Sequence, residues 1–311
     1  MDTLRGRFGV GPVCREIGVP VSSYYHRKLR EREPSARSRA DVVLMAQIVT
    51  ARTGHRCNYG QRRTWRELTD AGVQVGRDRV GRLMRQAGMV GVRRGVRHTT
   101  TIQDGEAVVR AGDLVERDFT AAGPNRLWVA DFTYLRCTSG FMYLAFVLDV
   151  YSRMIVGWQL ASHRRAELVT DALDMALALR RPGAGCVAHT DAGGQYTSVA
   201  YTDKIAAAKM IPSIGTVGDA LDNAMAESWV ATIKAELIQG RIYPRIETAE
   251  HAILEWISFY NHERLHEALG DLSPVDYEAG IRREPRRRVG PRRPVQPALG
   301  RSAGRTGQKD L

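Results

Sequence analysis

The chain is poor in several features that would settle its class early. Among its 311 residues no run of 18 or more is apolar, so a membrane-spanning helix is excluded. No apolar segment follows Met1, where Arg5, Arg7 and two glycines interrupt, so a secretory leader is not expected. Cysteine is scarce. Cys14, Cys57, Cys137 and Cys186 stand alone with no CxxC pair, which argues against zinc ribbons and disulfide scaffolds and for reduced thiols in a cytosol. No GxxxxGK[ST] loop is present to cradle ATP. No serine sits in a nucleophile elbow, so a Ser/His/Asp triad is not indicated. Lysine is rare as well, since 41 of the 46 basic residues are arginine.

The charge that remains is unevenly distributed. Residues 1–100 hold 21 Lys+Arg against 8 Asp+Glu, residues 101–280 hold 15 against 24, and residues 281–311 hold 10 against 2. Basic flanks around an acidic centre suit arms that hold a polyanion and a middle that gathers carboxylates around a metal. Coding bias toward arginine is the plainer explanation, and it weighs more for the tail than for the first hundred residues.

Four regions follow from the pattern: a helical region at 1–90, a linker at 91–124, an α/β core at 125–280 and a basic, disordered tail at 281–311. In the first, Val10, Val13, Cys14 and Ile17 have helical spacing, Gly18 stops that helix, and Ser22 is placed to cap the next. This is the outline of a helix-turn-helix, or equally of an ordinary helical hairpin. Tyr24, Tyr25, His26, Arg27 and Lys28 would offer phosphate contacts from its second helix. Val42, Val43, Met45, Ala46 and Val49 begin a second helical stretch. Arg62, Arg63, Arg66, Arg77, Arg79, Arg82 and Arg85 recur between its apolar positions, a basic face suited to duplex DNA.

From Asn125 the pattern turns to β-formers. Residues 127–135, 141–150 and 154–160 predict three strands joined by short turns, an antiparallel meander. A helix over 165–180 follows, with Leu168, Ala172, Met175 and Leu179 on its apolar side. A short strand ends at Asp191, a helix covers 197–209 and another short strand covers 211–214. Helices over 219–237 and 248–266 close the core. The order β-β-β-α-β-α-β-α predicts a mixed sheet flanked by helices.

Three acids stand where this architecture needs an explanation. Asp131 lies inside the first strand, Asp191 at the end of a short one, and Glu227 on a helix beside a buried stripe of Ala226, Val230, Ile233 and Leu237. If the two strands are neighbours, their carboxylates converge near one end of the sheet. Three clustered acids repel one another unless a cation joins them, and hard divalent ions take oxygen ligands. Taken singly, each acid is as well explained as a strand-end, turn or solvated helix residue. Asp149 suits a turn cap, and His189 either orients Asp191 or fills a strand end.

The text from Trp128 to Pro274 resembles the catalytic core of the IS-three family of bacterial insertion-sequence transposases, within the retroviral-integrase, ribonuclease-H-like superfamily. The blocks are WVADFTYL, YLAFVLDVYSRMIVGW, HTDAGGQYTS, SIGTVGDALDNAMAESW and FYNHERLHEALGDLSP, and 35 residues separate Asp191 from Glu227. YGQRR at 59–63 is similar to the helical segment that precedes this core. The resemblance implies a ribonuclease-H-like α/β fold with Asp131, Asp191 and Glu227 as catalytic ligands of Mg²⁺ or Mn²⁺, two ions being expected. The implied enzyme cuts the ends of an insertion sequence and transfers the freed 3′ hydroxyl into target DNA. It further implies Lys234 as a contact to transposon-end DNA, Asn223 as a support of the site, and an oligomer on DNA. An upstream-frame product is expected as fusion or partner, in a bacterial cytoplasm and associated with the nucleoid. The chain departs from the commoner family text at Ala192-Gly193-Gly194, at Leu221 and in lacking a basic pair before Gly218. Two other classes stay open at this point: a DNA-binding regulator without catalysis, and a nuclease of the same fold that cuts and never joins.

Overall fold

The computed structural model describes residues 2–55, 58–92, 111–215, 223–238 and 240–280. Six helices come first: α1 (Asp2–Phe8), α2 (Val10–Glu16), α3 (Val21–Arg32), α4 (Ala36–Gly54), α5 (Gln61–Asp70) and α6 (Arg77–Gln86). The α2–turn–α3 hairpin forms as expected, but Pro20, not Ser22, occupies the position before α3. A proline there presets the backbone angle of the helix entry, and its missing N–H costs nothing in a first turn. The α4–α6 bundle buries Leu44, Ile48, Leu68, Val80, Leu83 and Met84. Val42 and Val43, expected to begin its apolar side, are instead 70% and 61% exposed. Leu44 and Ile48, one turn apart, claim the buried side, and at 100° per residue Val42 and Val43 cannot share it.

The sheet is built from β1 (Leu127–Cys137), β2 (Gly140–Asp149), β3 (Ile155–Ala161), β4 (Val187–Thr190) and β5 (Ile211–Ile214) in the order β3-β2-β1-β4-β5. A two-residue strand β6 (Ile242–Tyr243), which no pattern announced, pairs with the far end of β1. β1 to β3 are the expected antiparallel meander, whereas β4 and β5 run parallel to β1. The fold is the mixed α/β layer that the pattern predicts. Asp149 has the turn role expected of it. Its buried carboxylate accepts from the N–H of Tyr151 (2.9 Å), the N–H of Asn125 (2.6 Å) and the indole of Trp128 (3.2 Å).

On one face of the sheet lie α7 (Ala166–Arg180) and α8 (Val199–Ala207); on the other, α9 (Ala224–Ile233) and α10 (Ile246–His262), with α11 (Pro274–Glu278) closing the chain of described elements. Gly157 explains how closely α7 sits. A Cβ there would meet the Ala172 carbonyl oxygen at 2.1 Å and the Ala176 Cβ at 2.8 Å. That approach buries Leu168, Val169, Ala172, Leu173 and Ala176, and leaves the expected Met175 and Leu179 on the outside. α10 stops at His262, four residues short of the predicted end, because Glu263 leaves the helical region (φ −125°) and Arg264 to His266 turn inward and are buried. The predicted start of α9 at Asp219 lies outside the described residues. Its last turn, Lys234–Ile238, is π-helical.

Candidate active site

Strand register brings the first two acids together. Val129 lies opposite His189 and Ala130 opposite Thr190 in the parallel β1–β4 pair, so the next residues on the two strands are Asp131 and Asp191. Equivalent positions on adjacent parallel strands point to the same face. One Asp131 oxygen accepts the Phe132 N–H at 2.7 Å, and one Asp191 oxygen accepts the Gly193 N–H at 3.1 Å. Glycine suits position 193, since a Cβ there would meet that same Asp191 oxygen at 2.9 Å.

The electrostatics follow from this pairing. Burial and then the charge of Asp191 push the Asp131 carboxyl up to about 8, against the pull of the Phe132 N–H and of Lys234. The Asp191 carboxyl is raised as well by the protein atoms packed around it, with the Gly193 N–H and His189 opposing. Behind them the buried Tyr196 phenol has no hydrogen-bond partner among the described residues, and burial with both carboxylates holds it ionisation-resistant. Two adjoining carboxylates of raised pKa and an orphaned hydroxyl are an oxygen-donor set, which fits a hard divalent cation.

Glu227 is placed differently. α9 packs on β1 through Ala226, Trp229 and Ile233, with the Trp229 ring 4.0 Å from Phe146. Glu227 is half-buried in the first turn of that helix. Among the described residues no three Asp, Glu, His or Cys side chains lie close enough together to hold one ion. The structure thus unites Asp131 with Asp191 and leaves Glu227 on the adjoining helix. Asn223, buried at the start of α9, donates from its side-chain amide to the Ala130 carbonyl at 3.4 Å, tying the helix to β1 one residue before Asp131. Its amide oxygen has no hydrogen-bond partner among the described residues. Lys234, at the end of α9, lies with its ammonium 4.8 Å from the Tyr134 ring centroid and is drawn to Asp131. His189 fills the strand end, 2.9 Å from the Ser213 hydroxyl on β5.

The family is decided by likeness to curated proteins. The chain is 42% identical over 281 residues to the transposase for insertion sequence element IS629 of Shigella sonnei, covering 89% of this chain and 94% of that one. It is 33% identical over 248 residues to the transposase for insertion sequence element IS904 of Lactococcus lactis, covering 79% and 98%. The chain belongs to the IS-three family of insertion-sequence transposases. Residues 121–220 and 209–274 of the transposase match the integrase core domain, and residues 39–97 match the HTH-like domain. It is therefore a DDE-type polynucleotidyl transferase. Among solved structures, the magnesium complex of the HTLV-2 integrase catalytic core aligns at 12% identity and a TM-score of 0.40, over 51% of this chain and 99% of its own.

Several residues expected to contact DNA make polar contacts within the chain. Tyr24 is buried, with its hydroxyl 2.9 Å from Asp2 and 3.1 Å from Arg5. Lys28 pairs with Asp2 at 2.5 Å and Glu31 at 2.7 Å, and Arg27 pairs with Glu31 at 3.2 Å. Tyr25 and His26 stay exposed, the Tyr25 ring resting edge-on against Tyr24 at 5.3 Å. Arg62 is exposed but ion-paired within the chain. It binds Asp271 and Glu267 at 2.9 Å each, joining the helical region to the core. Arg63 lies over the Tyr59 ring at 5.5 Å and 3.9 Å from Glu236. Glu236 in turn holds the buried Arg264 through bonds of 2.8–3.1 Å. Acids 170 or more residues away in sequence pair with Arg62 and Arg63, and Glu236 lies 28 residues from Arg264, separations that no local pattern bridges. Tyr196 and Arg264 escaped the sequence reading because tertiary packing alone buries them, although both lie inside the quoted blocks.

Proposed function

We propose that the transposase cleaves a DNA strand at the ends of its insertion sequence and joins the freed 3′ hydroxyl to target DNA, with Asp131, Asp191 and Glu227 as the acids of the site. The side-by-side register of Asp131 and Asp191 carries this reading. Mg²⁺ or Mn²⁺, two ions in the full site, would be held by those carboxylates. Bound there, divalent cations supply Lewis-acid polarisation of the phosphodiester oxygens.

The chain's own groups do the rest. At neutral pH the Asp131–Asp191 pair retains a proton, which it must release before both carboxylates can act as ligands. Asn223 anchors the start of α9 to β1 and so sets where Glu227 stands relative to the pair. Lys234 offers a cation beside the pair for a DNA phosphate. No energy cofactor is called for, since one phosphodiester is exchanged for another. The HTH-like domain at 39–97 supports binding to the element's terminal repeats as well as to target DNA. Joining two ends calls for more than one copy on the DNA. An upstream-frame product supplying further DNA contacts, and work at the bacterial nucleoid, complete the reading.

The test uses purified chain, Mn²⁺ and labelled DNA of the flanking terminal repeats. Asp131→Asn, Asp191→Asn and Glu227→Gln should each abolish cleavage and joining while binding persists. Activity retained in one variant removes that residue from the site. Shifted but intact DNA with the unaltered chain would favour a regulator, and cut but unjoined DNA a nuclease.

A further inference from the structure

The β1–β2 hairpin carries two aromatic rings that the fold leaves in solvent. Tyr134 is 42% exposed and Phe141 51% exposed, and their centroids lie 5.4 Å apart with the planes at 90°. The edge of Phe141 therefore steadies one ring against the other, and the Lys234 ammonium sits 4.8 Å from the Tyr134 centroid. Lys234 is also near enough to Asp131 for their charges to interact.

Strand geometry limits what could occupy this place. Tyr134 is three residues beyond Asp131, about 10 Å along β1. That is about three base steps of one DNA strand. Pairing with β4 ends at Ala130 and pairing with β6 begins at Arg136, so among the described residues no strand covers that edge of β1 between them. Alternation turns Asp131 and Tyr134 to opposite faces of the sheet, and a polymer that reaches both must cross the open edge. A stiff duplex keeps its base faces stacked inside and bends poorly over such a distance. An unpaired strand offers base faces for an aromatic ring and phosphates for a lysine.

We propose that Tyr134, steadied by Phe141, is a stacking platform for an unpaired base of the DNA strand whose phosphodiester lies at Asp131 and Asp191, with Lys234 taking the adjoining phosphate. This rests on the active-site reading above. Stacking on an aromatic face is tolerant of base identity, so the platform would grip an opened end without reading its sequence.

The test compares two probes with the full chain in Ca²⁺, where binding is scored without cleavage. One is a duplex of the element's own end with its last nucleotides unpaired and 2-aminopurine among them. The other is the blunt duplex of the same sequence. The unaltered chain should quench the 2-aminopurine. Tyr134→Ala should lose the quenching and bind the unpaired probe about tenfold more weakly, with the blunt probe unchanged, and Tyr134→Trp should restore both. Equal quenching by Tyr134→Ala overturns the proposal. So does equal weakening of both probes, or a changed oligomeric state on a sizing column, which would assign the rings to a protein contact. Cleavage that survives Asp131→Asn would fell the active-site reading while leaving the stacking readout intact.

Discussion

The raised carboxyl of Asp131 makes a prediction that needs no DNA. Its pKa moves from 3.8 to about 8 on folding, so the folded chain holds this proton more tightly than the unfolded one. The associated stability is complete below about pH 4 and is lost as pH climbs through about 8. Each unit of displacement corresponds to about 1.4 kcal/mol. Sharing of the proton with Asp191 and partial contact with solvent reduce the sum to about 2–5 kcal/mol. Asp131→Asn removes the titration while keeping the shape. Without metal at pH 8.5 the variant should therefore melt higher than the unaltered chain, by on the order of 10 °C, and the gap should shrink steadily as pH falls toward about 4. Mg²⁺ or Mn²⁺ should raise the melting temperature of the unaltered chain at pH 8.5, by about 2.7 kcal/mol at one hundred times its dissociation constant, and raise the variant's far less. Melting curves from pH 5 to 9, with and without cation, are sufficient. A variant that melts lower at pH 8.5, parallel pH slopes, or equal stabilisation of both proteins by the cation would refute the reasoning.

Other consequences follow from packing and charge. Gly157→Val forces side-chain atoms into the Ala172 carbonyl and should destabilise the core by 3 kcal/mol or more, a figure on the order of the worst overpacking costs, read by urea unfolding. Arg264→Ala leaves the buried Glu236 carboxylate with only Arg63 at 3.9 Å and should cost about 3 kcal/mol, whereas replacing Arg264 and Glu236 together with apolar residues of similar volume should cost much less. Arg62→Ala should loosen the helical region from the core, seen as faster proteolysis near residue 60, while lowering the salt slope of DNA binding little. Truncation at Gly280 removes 10 basic and 2 acidic residues and should flatten the dependence of DNA affinity on salt; an unaltered slope would show that the tail touches no DNA.

What could be read in advance was whatever depends on neighbours along the chain. Alternating β-formers around Asp131 announced a meander, and the turn after β2 announced the role of Asp149. The ordered blocks with 35 residues between Asp191 and Glu227 announced the family. Helix faces were less legible. α7 offers apolar residues on several sides, and only the close seat permitted by Gly157 decided that Val169 and Leu173 go in while Met175 and Leu179 stay out. Arginine is the clearest case. Arg62 and Arg63 carry the same charge as any DNA-binding residue, and their partners Asp271, Glu267 and Glu236 lie more than 170 residues away in sequence. The residue types and their order were enough to determine that this chain would build a carboxylate-bearing α/β core. Which acids meet and which cations are already spent inside the protein were decided by strand register and helix docking, because electrostatic partners are chosen by distance in space and distance in space is not written in any local run of residues.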